Sequence, residues 1–242
     1  MTSRRSAIAL LLGAPLAACE TLDPAILDGI LSVGGGALSQ GEAAQGIRAA
    51  LSNGVLSALG IVGRSGGFLN NNLIRIPLPK KLQDVQKIMA SVGASGVLDD
   101  LQARLNHGAE KATPAAKNIF LNAVSDLSIS DAISIVRGPK NAATQYLQGK
   151  TTPALTRLFT PIMDSALADA GAFQALDQVS SRLQSIPFAP KLASNAQKNL
   201  ITHGVKYGLD GMFFYIGKEE AAIRQNPAKR TSEILRRVFG NA

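Results

Sequence analysis

The chain has one cysteine, Cys19, and it closes an N-terminal stretch that reads MTSRRSAIALLLGAPLAAC. Whatever folds beyond that residue folds without an internal disulfide, so its stability has to come from packing. There is no tryptophan, and aromatic residues make up 5% of the chain. The interior must therefore be aliphatic, and the abundance of alanine and leucine favours helices. The expected fold class is all-α: a multi-helix bundle of about eight to ten helices, with one short extended or hairpin-like loop near residues 66–79.

The N-terminal stretch has the form of an export signal. Arg4 and Arg5 make a basic start, and Ala7 to Leu12 an apolar run far shorter than the ~20 residues a spanning helix needs. Leu16-Ala17-Ala18 before Cys19 is a lipobox, because small residues let a peptidase reach the backbone there. The cysteine sulfur would then carry diacylglycerol. Each buried CH₂ contributes ~0.8 kcal/mol, so two or three acyl chains hold firmly where one does not. The expected layout is a signal peptide over 1–18, a lipidated Cys19 with a tether over 19–38, and a single helical domain over 39–242. Glu20 follows the cysteine where an inner-membrane retention signal would carry Asp. The expected address is the bacterial envelope, at the inner leaflet of the outer membrane, facing the periplasm. Ser3-Arg4-Arg5-Ser6 loosely resembles a twin-arginine signal but lacks the bulky residue after it, which leaves the export route open.

Lysine and arginine outnumber aspartate and glutamate, 25 to 17, and only Arg4 and Arg5 precede Cys19. The basic residues are scattered and lack interleaved aromatics, which argues against nucleic acid as a partner. Attraction to anionic headgroups is worth at most ~1 kcal/mol per surface cation. Membrane attachment is expected through the lipidated cysteine.

Glycine and proline punctuate the rest. Gly34-Gly35-Gly36 makes a joint in the tether. Ser39-Gln40-Gly41-Glu42 has the form of a capping box, and Ile47, Leu51, Val55 and Leu59 form a buried stripe behind it. In the extended segment Ile74, Ile76 and Leu78 alternate, while Pro77 and Pro79 exclude a central strand. Leu98, Leu101, Leu105, Ala109 and Ala112 predict the core face of a helix that Pro114 interrupts or kinks. Ser128 to Asp131 caps a short helix. A further short helix is expected over Asn141–Leu147, ending at Gly149, and a longer one from Thr152-Pro153, kinked at Pro161. Helices follow over Phe173–Leu183, from about Ser194 to Arg224, and from Asn226-Pro227 to Gly240.

Several ordered features together resemble a family. They include Ile74-Arg75-Ile76-Pro77-Leu78-Pro79, Leu105-Asn106 with Ala109-Glu110, Phe159-x-Pro161, and Glu220-x-x-Ile223-Arg224-x-Asn226-Pro227. The chain closely resembles, from about Leu38 to Phe239, a bacterial lipoprotein family catalogued as a domain of unknown function. His107-Gly108 departs from the Arg-Ala expected there. The resemblance implies a helical envelope lipoprotein and carries no catalytic residue.

Beyond Cys19, the candidate ligand-binding residues are Arg75, Gly208, Met212, Phe213, Glu220 and Arg224. Glu220 and Arg224 stand i, i+4 before a helix corner, as an ion pair or as an arginine held for an anionic ligand. Gly204, Gly208, Gly211 and Gly217 stud one helix, either for close helix approach or as a groove with bare backbone. Met212-Phe213-Phe214-Tyr215 is apolar almost all round, so what the core does not take must be covered by something else. Asn106, His107 and Glu110 are too few for a metal site and read as a polar helix face; no metal and no cofactor is expected. Arg64, Arg75 and Gly66-Gly67 could form an anion-binding loop but lack P-loop spacing. No catalytic signature stands out. The expected function is a lipid-anchored domain that binds a hydrophobic ligand or an envelope protein. The alternatives are an assembly factor acting through protein contacts, and an envelope hydrolase drawing on His107, Glu110 or Asp131.

Overall fold

Two serines start helices as their spacing predicts. The Ser39 hydroxyl accepts from the Glu42 N–H while the Glu42 carboxylate accepts from the Ser39 N–H, and Ser128 and Asp131 repeat the exchange. A computed structural model describes residues 39–91, 95–184 and 194–225. These all belong to one compact unit, Leu38–Ala242. The expected signal stretch, Cys19, the expected glycine joint and the last expected helix lie outside the described residues.

The helices are α1 (Gln40–Val62), α2 (Lys80–Ala90), α3 (Gly96–Ala112), α4 (Lys117–Ser125), α5 (Ile129–Arg137), α6 (Ala142–Asp169), α7 (Ala172–Gln184) and α8 (Ala196–Gln225). A 3₁₀ turn, Thr113–Ala116, carries α3 on into α4, so the described residues make seven rods, fewer than the eight to ten expected. No strand occurs among the described residues, and the all-α class holds. Pro114 does not separate two helices, because it falls in the first turn of the 3₁₀ segment, where a missing N–H is harmless.

The larger departure is α6. Two helices divided near Gly149 were expected; one helix of 28 residues runs through Pro153 and Pro161. Each proline removes the donor for the carbonyl four residues back, at Gly149 and Arg157. Both of those residues and both prolines are exposed, so water takes the place of the lost bond. Threonines bond back onto the same stretch: the hydroxyls of Thr151, Thr152, Thr156 and Thr160 donate to the carbonyls of Leu147, Gln148, Thr152 and Thr156.

Helix α8 lies at the centre, against α6 and α1, with α3 packed on α6 and α8. The predicted faces of α1 and α3 are buried, and Phe120 meets Phe213 edge-on at 5.6 Å. The glycines of α8 mark close contacts. A methyl at Gly211 would stand 2.6 Å from a Phe68 ring carbon, and one at Gly204 2.7 Å from a Leu105 methyl. Gly211→Ala is therefore expected to destabilise by about 1–3 kcal/mol, despite alanine's better helix propensity. Gly60→Ala in α1, where nothing lies within 4 Å, is expected to stabilise by about 0.5–1 kcal/mol. Urea unfolding of the two variants checks both signs.

Candidate functional site

The segment between α1 and α2 crosses the bundle as turns up to Ile74, which bond only some of their own backbone groups, and then as an extended stretch over 75–79. An extended chain there leaves N–H and C=O groups that must find partners. Helices α3 and α8 supply them as side chains. The Glu110 carboxylate accepts from the N–H groups of Gly66, Phe68 and Leu69 at 3.0–3.1 Å. Gly66 has φ 72°, the left-handed geometry that turns these donors toward one point. The Asn106 carboxamide accepts from Ile76 N–H at 2.8 Å and donates to Ile76 C=O at 2.9 Å, doing for one residue what a neighbouring strand would do. His203 Nε2–H donates to the Pro77 carbonyl at 2.7 Å, and the Asn71 amide donates to the Tyr215 hydroxyl at 2.6 Å.

Of Asn106, His107 and Glu110, only His107 is turned to solvent. Asn106 and Glu110 are buried, and their edge of α3 clamps the crossing segment. His107 Nδ1–H donates to the Glu110 carboxylate at 2.9 Å. Among the described residues no third His, Cys, Asp or Glu joins them. Burial pushes the Glu110 carboxyl up, but the donors at Leu69, His107, Phe68 and Gly66 together hold it below its ordinary value. The Gly66-Gly67 loop does bind an anion, and that anion is the protein's own Glu110. Asp131, the third group of the hydrolase alternative, is engaged in the capping box at Ser128, which holds its carboxyl low.

Glu220 forms a second such clamp. Its carboxylate accepts from the N–H groups of Ala143 and Thr144 and from the Thr144 hydroxyl, at 2.7–3.0 Å. It thereby caps α6, whose own Asn141 supplies no side-chain cap. Arg224 donates to Glu220 from Nε and Nη2 and to the Ile135 carbonyl at 2.8 Å. The expected ion pair at this corner is present, extended to the ends of two other helices.

The six candidate ligand residues do not gather into one site. Glu220 and Arg224 join α8 to α5 and α6. Arg75 lies on the crossing segment, with Nε donating to the Leu69 carbonyl. At Gly208 a methyl would meet only the Ala109 methyl at 3.5 Å, an ordinary packing distance. That places helix packing, rather than a bare-backbone groove, at this position. Met212 and Phe213 are buried in the core.

A model described as "Protein of unknown function (DUF4197)" matches residues 37–240. The chain belongs to the DUF4197 family. No curated protein and no solved structure matches it. The ordered motifs that resembled a family of unknown function fall within the matched span.

Among the surface features of this DUF4197 chain, two stand out. One is an open groove of about 240 Å³ between α6 and α8, with Val205, Leu209 and Phe213 behind Thr152, Thr156 and Thr160. The other is an exposed edge of α8 around Tyr207 and Phe214, beside the crossing segment. The groove was not foreseen, because its threonines look like ordinary solvent-facing positions. The signal was there in Thr152, Thr156 and Thr160, which recur every four residues on one helix face.

Proposed function

We propose that this chain is a lipid-anchored domain of the bacterial envelope, held through Cys19 at the inner leaflet of the outer membrane, that binds an apolar ligand in the groove between α6 and α8. The anchor rests on the lipobox and on Glu20 behind it. The ligand class rests on the groove's chemistry. Its floor is Val205, Leu209 and Phe213. The hydroxyl hydrogens of Thr152, Thr156 and Thr160 are committed to their own helix, so the rim offers methyl groups and no free donor from those three. Lys206 and Asp210, 2.7 Å apart, stand at the rim, where a polar end of a ligand would sit. The bundle interior favours the surface site, since the hollow beneath Ile47, Leu51 and Ile223 holds about 10 Å³, the space of one water.

Two measurements test this reading. Labelling cells with a radioactive fatty acid is expected to mark the wild-type chain and not Cys19→Ser; label on both, or on neither, removes the anchor. Native mass spectrometry of the protein taken from cell envelopes is expected to find a bound apolar molecule that Thr156→Trp excludes. Thr156 is exposed, and its replacement is expected to change stability by no more than about 0.5 kcal/mol. Absence of any ligand on the wild type, or equal occupancy of the variant, removes the groove as a site.

A further inference from the structure

The crossing segment runs antiparallel along α8, with Pro77 at His203, Ile74 against Gly211 and Asn71 at Tyr215. Beside it, Tyr207, Gly211, Phe214 and Lys218 recur at i, i+4, i+7 and i+11 and share one face of the helix. Gly211 is covered by Phe68 and Ile74. Its neighbours on the face are not: Tyr207 is 37% exposed and Phe214 41%, while Leu73, in the docked turn, is 62% exposed. Other exposed apolar side chains, such as Leu56, Ile88 and Ile129, belong to three other helices; single exposures of that kind are ordinary.

The charge around this edge is net positive. Lys206 lies 4.8 Å from the Tyr207 ring centre, and Lys218 lies 5.2 Å and 5.5 Å from those of Phe214 and Tyr215. Arg64 and Arg75 are exposed on the adjoining loop, and Arg64 lines a polar hollow with Asn70, Asn71, Asn72 and Tyr215. On α8, Asp210 pairs with Lys206 and offsets its charge, and Glu219 accepts from the Ser57 hydroxyl, which leaves Lys218, Arg64 and Arg75 in excess. Rings and a leucine flanked by lysine and arginine suit the boundary between headgroups and acyl chains. The hollow offers amide donors and a guanidinium to a phosphate.

The length of chain before the domain permits the contact. Residues 20–38 separate Cys19 from Ser39, a contour of about 65 Å when extended. Arg64 follows the far end of α1, which is only about 35 Å long. We infer that the edge formed by Leu73, Tyr207, Phe214 and Lys218, with Arg64 and Arg75 beside it, is the surface by which this domain lies against a membrane of anionic phospholipid. The contact is separate from the α6–α8 groove and does not depend on a ligand there.

Since the chain has no tryptophan, Phe214→Trp in the full-length protein is a sole fluorescent reporter, and Ile129→Trp on α5 is its control. With vesicles of phosphatidylcholine and phosphatidylglycerol, emission from position 214 is expected to move to the blue and to be quenched by brominated lipid. With phosphatidylcholine alone both effects are expected to be several-fold weaker, and position 129 is expected to respond to neither. Lys218→Glu and Arg75→Glu, in the reporter background, are each expected to weaken docking roughly fivefold or more. Both sites are exposed, and an unchanged thermal melt separates lost docking from lost folding. Solvent-like emission at 214 with anionic vesicles overturns the proposal. So does an equal response at 129, an equal response to neutral vesicles, or docking that ignores both charge reversals.

Discussion

Glu110→Ala is expected to lower the unfolding free energy by about 2–4 kcal/mol, the sum of orphaned donors rather than of lost packing. Three backbone N–H groups, at Gly66, Phe68 and Leu69, lose one shared acceptor. Phe68 cannot move out to find water without withdrawing its ring, which is fully buried against the Gly211 turn of α8. His107→Ala, which removes a partly exposed neighbour of the same carboxylate, is expected to change stability by less than about 1 kcal/mol. Urea titration of both variants is the check, and equal losses would mean that the carboxylate's work lies elsewhere. The effect has a pH signature. Because the folded carboxyl is held below its unfolded value, its contribution is fully present above about pH 4.3 and is lost as pH falls through the folded value. The gap between wild type and Glu110→Gln should therefore narrow on acidification. Burial also lowers the pKa of His203, so the wild type loses stability as pH falls below about 6.5, where the unfolded histidine binds a proton more readily.

Glu220→Ala is expected to have the second large effect, about 3–5 kcal/mol. It removes the carboxylate paired with the Arg224 guanidinium, whose side chain is 14% exposed. It also leaves the first N–H groups of the 28-residue α6 without their acceptor. Replacing Glu220 and Arg224 together should cost less than the two single losses added, because each single loss already includes the contact the two share. A double-mutant cycle by chemical unfolding measures this. If the losses add, the corner is held by the Glu220 contacts to Ala143 and Thr144, and the arginine is incidental.

Local chemistry was readable and non-local chemistry was not. Ser39 with Glu42 and Ser128 with Asp131 announce helix starts, since both partners stand within one turn. The alternation of Ile74, Ile76 and Leu78 announces an extended segment, and these residues are buried as it implies. Pro153 misleads, because a proline's effect depends on whether the freed carbonyl meets water, which is a property of the assembled surface. Asn106 and Glu110 mislead more deeply, and of the contacts of Glu220 only the pair with Arg224 was legible. Their partners lie 30 to 77 residues away, and nothing in their own neighbourhood marks them as buried. The residues singled out on α8 do not gather into one site. Its glycines mark close contacts, its Glu220 caps another helix, and only Phe214 of the Met212–Tyr215 run is left exposed.

The cap on α6 has a consequence for the order in which the molecule can be completed. Helix α6 begins at Ala142, but the carboxylate that satisfies its first turn arrives with residue 220, after α7 and most of α8. A chain emerging N-terminus first holds a long helix with an open end until almost all of the domain has been made. Fragments that stop short of Glu220 contain every residue of α6 yet lack what closes its first turn. The domain is therefore finished from its far end, and shortening it there undoes structure that begins nearly eighty residues earlier.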